Sequence, residues 1–224
     1  MTWYAKPTGH YVMGSTEADS NAIEAMHILR GVYNWTFEAC CGLFGNIDYE
    51  GGWNPWRYEN DNVLTYNQAL TASTGMGLIG WTPCKKYFLN NATYTYEGHT
   101  YRYFPDYDQE SYPGYGPNFA DRSGLATDGA AQIKLIGEAM YHGSSSIWIQ
   151  RKNMTARNFT QLTDPRQAAY YWLWNAEFPD DIQAQVNRRM RAAQAWYEHL
   201  GGSYSNIPYI VLMKKAIDHS KGLL

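Results

Sequence analysis

Apolar residues recur at three- and four-residue spacing over five stretches of the chain and alternate with polar ones over one. The first helical stretch carries Ala22, Ile23, Ala25, Met26, Ile28, Leu29 and Val32, with Asp19 or Ser20 as its expected N-cap. Residues 1–18 precede it as an extended arm that Pro7, Gly9 and Gly14 interrupt. A second helix is expected to start at Thr36 and to place Leu43, Phe44 and Ile47 on one apolar face. It contains Gly42 and Gly45, each costing about 1 kcal/mol relative to alanine, so another element is expected to press on its backbone there. Gly51-Gly52 and Asn54-Pro55 then stop it, which puts Glu50 at its C-terminal end.

Further along, Ser73 to Pro83 spaces three glycines among apolar residues, the pattern of a short strand or turn whose backbone a ligand approaches closely. Cys84 to Leu89 reads as a helical turn. Thr93 to Phe104 alternates across Glu97-Gly98 and predicts a hairpin, within a Tyr-rich insertion at about residues 90–118. Helix returns from Asp128 to Tyr141. It returns again from the N-cap Asp164 and Pro165 through Trp172 and Ala176, ending before Pro179. The last helix starts at Asp180-Asp181, carries Ile182, Val186, Met190, Ala193 and Trp196, and is expected to end at Gly201-Gly202. Residues 203–224 form a C-terminal tail or linker, and 19–202 read as one domain.

Composition sharpens this picture. Charged residues are 17% of the 224 and aromatics 16%, including nine Trp and twenty Tyr. Such rings suit a surface that stacks on sugars, or one glued into a larger assembly. A net charge of −3 gives no support for nucleic acid as the main ligand. Cys40 and Cys41 are adjacent and Cys84 is isolated, so packing thiols are expected rather than a disulfide framework. No leader-like segment opens the chain and no apolar run reaches membrane-spanning length. The six His show neither HExxH nor Cys/His spacing, so neither metal nor cofactor is expected. At a helix C-terminus the peptide dipoles present negative partial charge, and Tyr49, Trp53 and Trp56 would form an aromatic wall around Glu50. Both effects favour the protonated carboxyl that general-acid catalysis requires. A solvated residue in a helix-ending loop is the competing reading of the same position.

The order helix, Gly-Asn-x-x-x-Glu-x-Gly-x-Asn-Pro, then Gly-x-Gly-Leu-x-x-Trp-Thr-Pro, resembles the phage tail lysozymes. More distantly it is similar to the lysozyme and lytic transglycosylase superfamily. The stretch from Leu162 to Trp196-Tyr197 resembles that family's C-terminal helices, so the likeness covers roughly residues 21–202 with gaps. It implies a mainly α, lysozyme-like α+β fold: a helical bundle with a small β-hairpin region flanking a substrate cleft. It implies Glu50 as catalytic acid, Asn46 one turn earlier as its orienter or a structural residue, and Gly77, Leu78, Trp81 and Thr82 as the substrate-side hairpin. Gly80 stands where related hairpins carry Gln, and Gly75 where chicken-type lysozymes carry a second carboxylate. Glu59, Asp61, Asp106 and Asp108 are the candidates to replace it, or the substrate's own groups assist, as in lytic transglycosylases. The implied function is a virion-borne muramidase that opens the host cell wall, with peptidoglycan strands and other tail proteins as partners. A transglycosylase, or a glycan-binding virion module without turnover, are the alternatives.

Overall fold

The computed structural model describes residues 3–6, 8–61, 68, 71–82, 93–96, 99–102, 128–143, 147–177 and 179–204. Among these, helix dominates: α1 (Thr16–Gly31), α2 (Phe37–Ile47), α3 (Asp128–His142), α4 (Ala156–Phe159), α5 (Pro165–Trp172) and α6 (Ile182–Tyr204). A π-helical turn, Leu173–Glu177, follows α5. Strand is confined to isolated bridges and to β1 (Thr93–Tyr96) with β2 (His99–Arg102), antiparallel in the register Thr93↔Arg102 to Tyr96↔His99. The chain forms two compact units, Met1–Glu24 with Glu50–Leu135, and Ala25–Tyr49 with Ile136–Leu224.

The second unit is built on α2. Thr36 caps it, its hydroxyl accepting the Ala39 N–H at 3.1 Å, and every residue from Phe37 to Ile47 except Glu38 is buried. Helices α5 and α6 pack on it where it has no side chains. A Cβ on Gly42 would lie 2.2 Å from Ala168 Cβ, and one on Gly45 would lie 2.5 Å from Ala193 N and 2.6 Å from Arg189 O. The two glycines are thus explained by close approach of neighbouring backbones. Asp164 caps α5 by accepting the Arg166 and Gln167 N–H groups, with Pro165 at the first position. Phe159 gathers Trp35, Trp148 and Trp172 at ring-centroid distances of 5.4, 4.9 and 5.5 Å, an aromatic cluster that fills the space beside α5.

In the first unit the N-terminal arm lies along the segment that follows Glu50. Asn21 binds Tyr4 on both main-chain groups and donates to Trp53 O at 2.8 Å. Asn54 donates to Lys6 O and Gly9 O, and Tyr11 N–H donates to Gly52 O at 2.7 Å. Trp53, Trp56 and Tyr58 are fully buried. Trp3 fills the space at Gly129, where a Cβ would meet its ring at 2.1 Å.

Three boundaries differ from the sequence expectation. Helix α1 starts at Thr16, because Ser15 Oγ takes the capping bond from Ala18 N–H while Asp19 reaches back to Gly14 N–H. Helix α2 ends at Ile47, so Glu50 stands in the turn beyond it rather than inside its last turn. Helix α6 continues through Gly201-Gly202 to Tyr204, since a glycine lowers helix propensity by about 1 kcal/mol without forbidding the conformation. Residues 84–89, most of 90–118 and the tail from 205 lie outside the described residues.

Candidate active site

Two local structures meet at Glu50. The first is the turn Asp48 to Trp53, in which Gly52 and Trp53 adopt left-handed φ of +54° and +59°. The second is the glycine-rich stretch. Met76 pairs with Trp81 through two main-chain bonds of 3.1 and 2.7 Å, and Gly80 N–H closes the reversal onto Gly77 O at 3.2 Å. Met76 also bridges Tyr58 on its other side, with Glu59 N–H donating to Gly75 O and Gly77 N–H to Arg57 O, both at 2.9 Å.

The turns are joined backbone to backbone. Gly51 N–H donates to Leu78 O at 3.1 Å, and a Cβ on Gly51 would fall 2.5 Å from Gly77 O. Half-buried Glu50 then extends towards Gly80, whose absent Cβ would stand 3.0 Å from Glu50 Oε2. Gly80 has φ +61°, a left-handed conformation that glycine adopts without strain. A side chain there would crowd the carboxylate, so glycine at this position leaves space for Glu50. Gln132 of α3 holds the turn from behind. Its buried Oε1 accepts Leu78 N–H at 2.8 Å and the Trp81 indole N–H at 3.4 Å, while its Nε2 donates to Pro55 O at 3.0 Å.

The remaining residues singled out in the sequence fall as follows. Gly77, Leu78 and Trp81 are buried parts of the turn; Thr82 is exposed, and its hydroxyl donates to Gly80 O at 2.8 Å. Asn46 lies in the core of the second unit, its amide donating to Gly42 O at 2.8 Å and Ala169 O at 3.2 Å. At the end of α2, buried Arg189 donates to Asn46 O at 2.9 Å and pairs with Glu177 at 2.7 Å, while Trp196 donates to the Asp48 carboxylate at 2.8 Å. Of the proposed aromatic wall, Trp53 and Trp56 are buried and Tyr49 is 45% exposed, with the Arg189 guanidinium 5.4 Å from its ring.

The two described candidates for a second carboxylate point to different partners. Glu59 Oε2 accepts the Thr74 hydroxyl at 3.1 Å and Gly75 N–H at 3.2 Å. At Gly75, read from the sequence as lacking a carboxylate, the Cβ space is occupied: Thr82 Oγ1 would be 2.8 Å away and Gly80 O 3.0 Å. Asp61 forms an ion pair with Arg57 at 2.8 Å and accepts Gly9 N–H at 3.1 Å. The Arg57 hydrogen bond holds its carboxyl below the usual carboxylate range, against a smaller opposing effect of burial. Asp106 and Asp108 lie outside the described residues.

Sequence reasoning passed over Gln132 and Arg57. Gln132 announces itself only as a polar residue on the buried stripe of α3, beside Ile133 and Ile136. Arg57 has no sequence signal; its guanidinium donates to Glu50 O and Asp61 across separations of seven and four residues. Among the described residues no group of three His, Cys, Asp or Glu side chains is placed to hold a metal. No described helix is long and apolar enough to cross a membrane.

The mainly helical architecture of the described residues is that of a lysozyme-like class of protein. The phage tail lysozyme family profile matches residues 20–200, and the chain belongs to that family. Morphogenesis protein 1 of Bacillus phage B103 is 29% identical over 189 residues. That alignment takes in 82% of this chain and 40% of the relative, so the chain spans well under half the length of the curated protein it matches.

Proposed function

We propose that this chain is a muramidase of a phage tail, cutting the bond between N-acetylmuramic acid and N-acetylglucosamine in the host wall. The observation that carries this reading is the Glu50 carboxylate set against the open side of Gly80. The glycine turn, with Thr82 exposed beside it, supplies main-chain and hydroxyl groups for a glycan strand and forms one wall of a substrate cleft. Glu50 gives its proton to the bridging oxygen as the C1–O bond breaks. Water adds to C1, and its proton passes to a carboxylate. Glu59 is the candidate for that role, because its carboxylate sits at the Gly75 turn through the Gly75 N–H and the Thr74 hydroxyl, whereas Asp61 is ion-paired with Arg57. An inverting enzyme needs about 6.5–9.5 Å between its two carboxyl groups, enough for that water.

One observation favours a second reading, a lytic transglycosylase. The Gly75 slot holds no carboxylate and is lined by Thr82 and Gly80. In that case Glu50 protonates the bridging oxygen as its bond to C1 breaks, and the muramic acid C6 hydroxyl then bonds to C1 and returns its proton to the Glu50 carboxylate, leaving an anhydro end. Virion location and contacts with other tail proteins belong to the same proposal.

Proton donation of this kind contributes about 10²–10⁴-fold to rate. Glu50→Gln is therefore expected to release soluble fragments from purified peptidoglycan at least about a hundredfold more slowly, with an unchanged melting temperature. Fragment release at the parent rate would exclude Glu50 as the acid. Binding to sacculi with no release by the parent protein would make it a glycan-binding module. Mass spectrometry of the products separates reducing ends from anhydro ends.

A further inference from the structure

The Arg57–Asp61 pair and the arm that meets it have no part in the chemistry above, yet they are tied to Glu50 itself. Arg57 spans three partners. Its main-chain carbonyl accepts Gly77 N–H, its Nη1 donates to the Glu50 carbonyl, and its Nε donates to Asp61 at 2.8 Å. Asp61 in turn accepts Gly9 N–H at 3.1 Å, where Gly9 has φ +75°. Asp61 and its neighbour Asn60 also adopt left-handed backbone, φ +54° and +59°. Such conformations cost on the order of 1–3 kcal/mol each in non-glycine residues and persist where the surroundings hold them.

We propose that Arg57 is a positioning residue for the reaction: it fixes the Glu50 main chain against the glycine turn, and Asp61 together with Gly9 of the N-terminal arm fixes Arg57. The inference rests on Glu50 being the acid. A planar guanidinium reaches two acceptors in fixed directions, which an ammonium cannot do. The relay links Gly9, outside the stretch that matches the family profile, to the residue that donates the proton. The arm is then part of the catalytic apparatus.

The test compares Arg57→Ala, Arg57→Lys, Asp61→Asn and Gly9→Pro with the parent, measuring kcat and KM on purified peptidoglycan along with melting temperature. Gly9→Pro removes the N–H donor and excludes positive φ. A misplacement near 1 Å can cost about 10²-fold, so Arg57→Ala is expected to lose roughly ten- to a hundredfold in kcat with KM within about twofold. Asp61→Asn and Gly9→Pro are expected to lose less in the same parameter. Arg57→Lys should recover only part of the loss. Unchanged kcat in folded Arg57→Ala and Asp61→Asn proteins would overturn the proposal, and so would full recovery by lysine. Asp61→Asn alters an exposed pair worth at most about 1 kcal/mol, so it stays folded and readable if Arg57→Ala does not. Full activity in Glu50→Gln would instead sink the reading on which this rests, so the two failures are distinguishable.

Discussion

Gly80 links backbone conformation to chemistry most directly. A Gly80→Ala substitution meets two separate penalties. The left-handed backbone costs an L-residue about 1–2 kcal/mol, and the new methyl would stand 3.0 Å from Glu50 Oε2. The carboxylate is the end of a flexible side chain, so it yields by moving from its place. Gly143 provides the control, with φ +67° and nothing within 4 Å of its Cβ position. Both alanine variants should melt a few degrees lower, at about 2–4 °C per kcal/mol for a chain of this size. Gly80→Ala alone should also lose peptidoglycan lysis by more than its lost stability explains. Equal lysis by the two variants would show that the space beside Gly80 has no part in turnover. This also bounds what could be read from residues alone. The sequence shows Gly80 only as one of several glycines in an apolar stretch; its φ and its distance to Glu50 arise from pairing between segments about thirty residues apart.

At the scale of elements, the helices were legible where their ends carry side-chain caps: Thr36 for α2, Asp164 with Pro165 for α5. They were less legible at α1, where several polar residues compete to cap and Ser15 rather than Asp19 or Ser20 does so, and through Gly201-Gly202, where main-chain geometry decides. The close approach at Gly42 and Gly45 was legible as a need for close packing, while the identity of the neighbours, Ala168 and Ala193, required the fold. Gly45→Ala is expected to be costly, because the atoms it meets at 2.5 and 2.6 Å are backbone atoms of α6 that cannot swing aside. Overpacking of this kind costs typically about 1–3 kcal/mol. The end of α2 predicts a larger loss. Arg189 is buried, pairs with Glu177 at 2.7 Å, and brings positive charge to the carbonyl end of the helix. Removing one partner strands the other's charge in the core, at about 3–5 kcal/mol. Arg189→Ala should therefore unfold at markedly lower denaturant than Gln194→Ala, whose half-buried side chain donates to Glu198 at 3.0 Å. Denaturation midpoints within error of each other would refute the role given to the buried pair.

Across the whole molecule, the mainly helical class was readable from apolar periodicity, which needs only residue order. The division of the chain into two units was not: each unit is assembled from an early and a late segment, and no linker composition marks the crossings. A thiol experiment reports on the unit that holds α2. Cys40 and Cys41 are fully buried on that helix, and burial pushes both thiols well above their ordinary range. The reactive species is the thiolate, so neither cysteine should alkylate in the native state at neutral pH. Both should label together once the unit opens, because they sit on adjacent residues of a helix buried on nearly all sides. Mass spectrometry after iodoacetamide treatment across a denaturant series would read this. The expected result is a labelling midpoint for both thiols that coincides with the loss of helical circular dichroism. Labelling of either thiol well before that midpoint would mean that α2 is reached by local opening, and that it is not the centre of its unit.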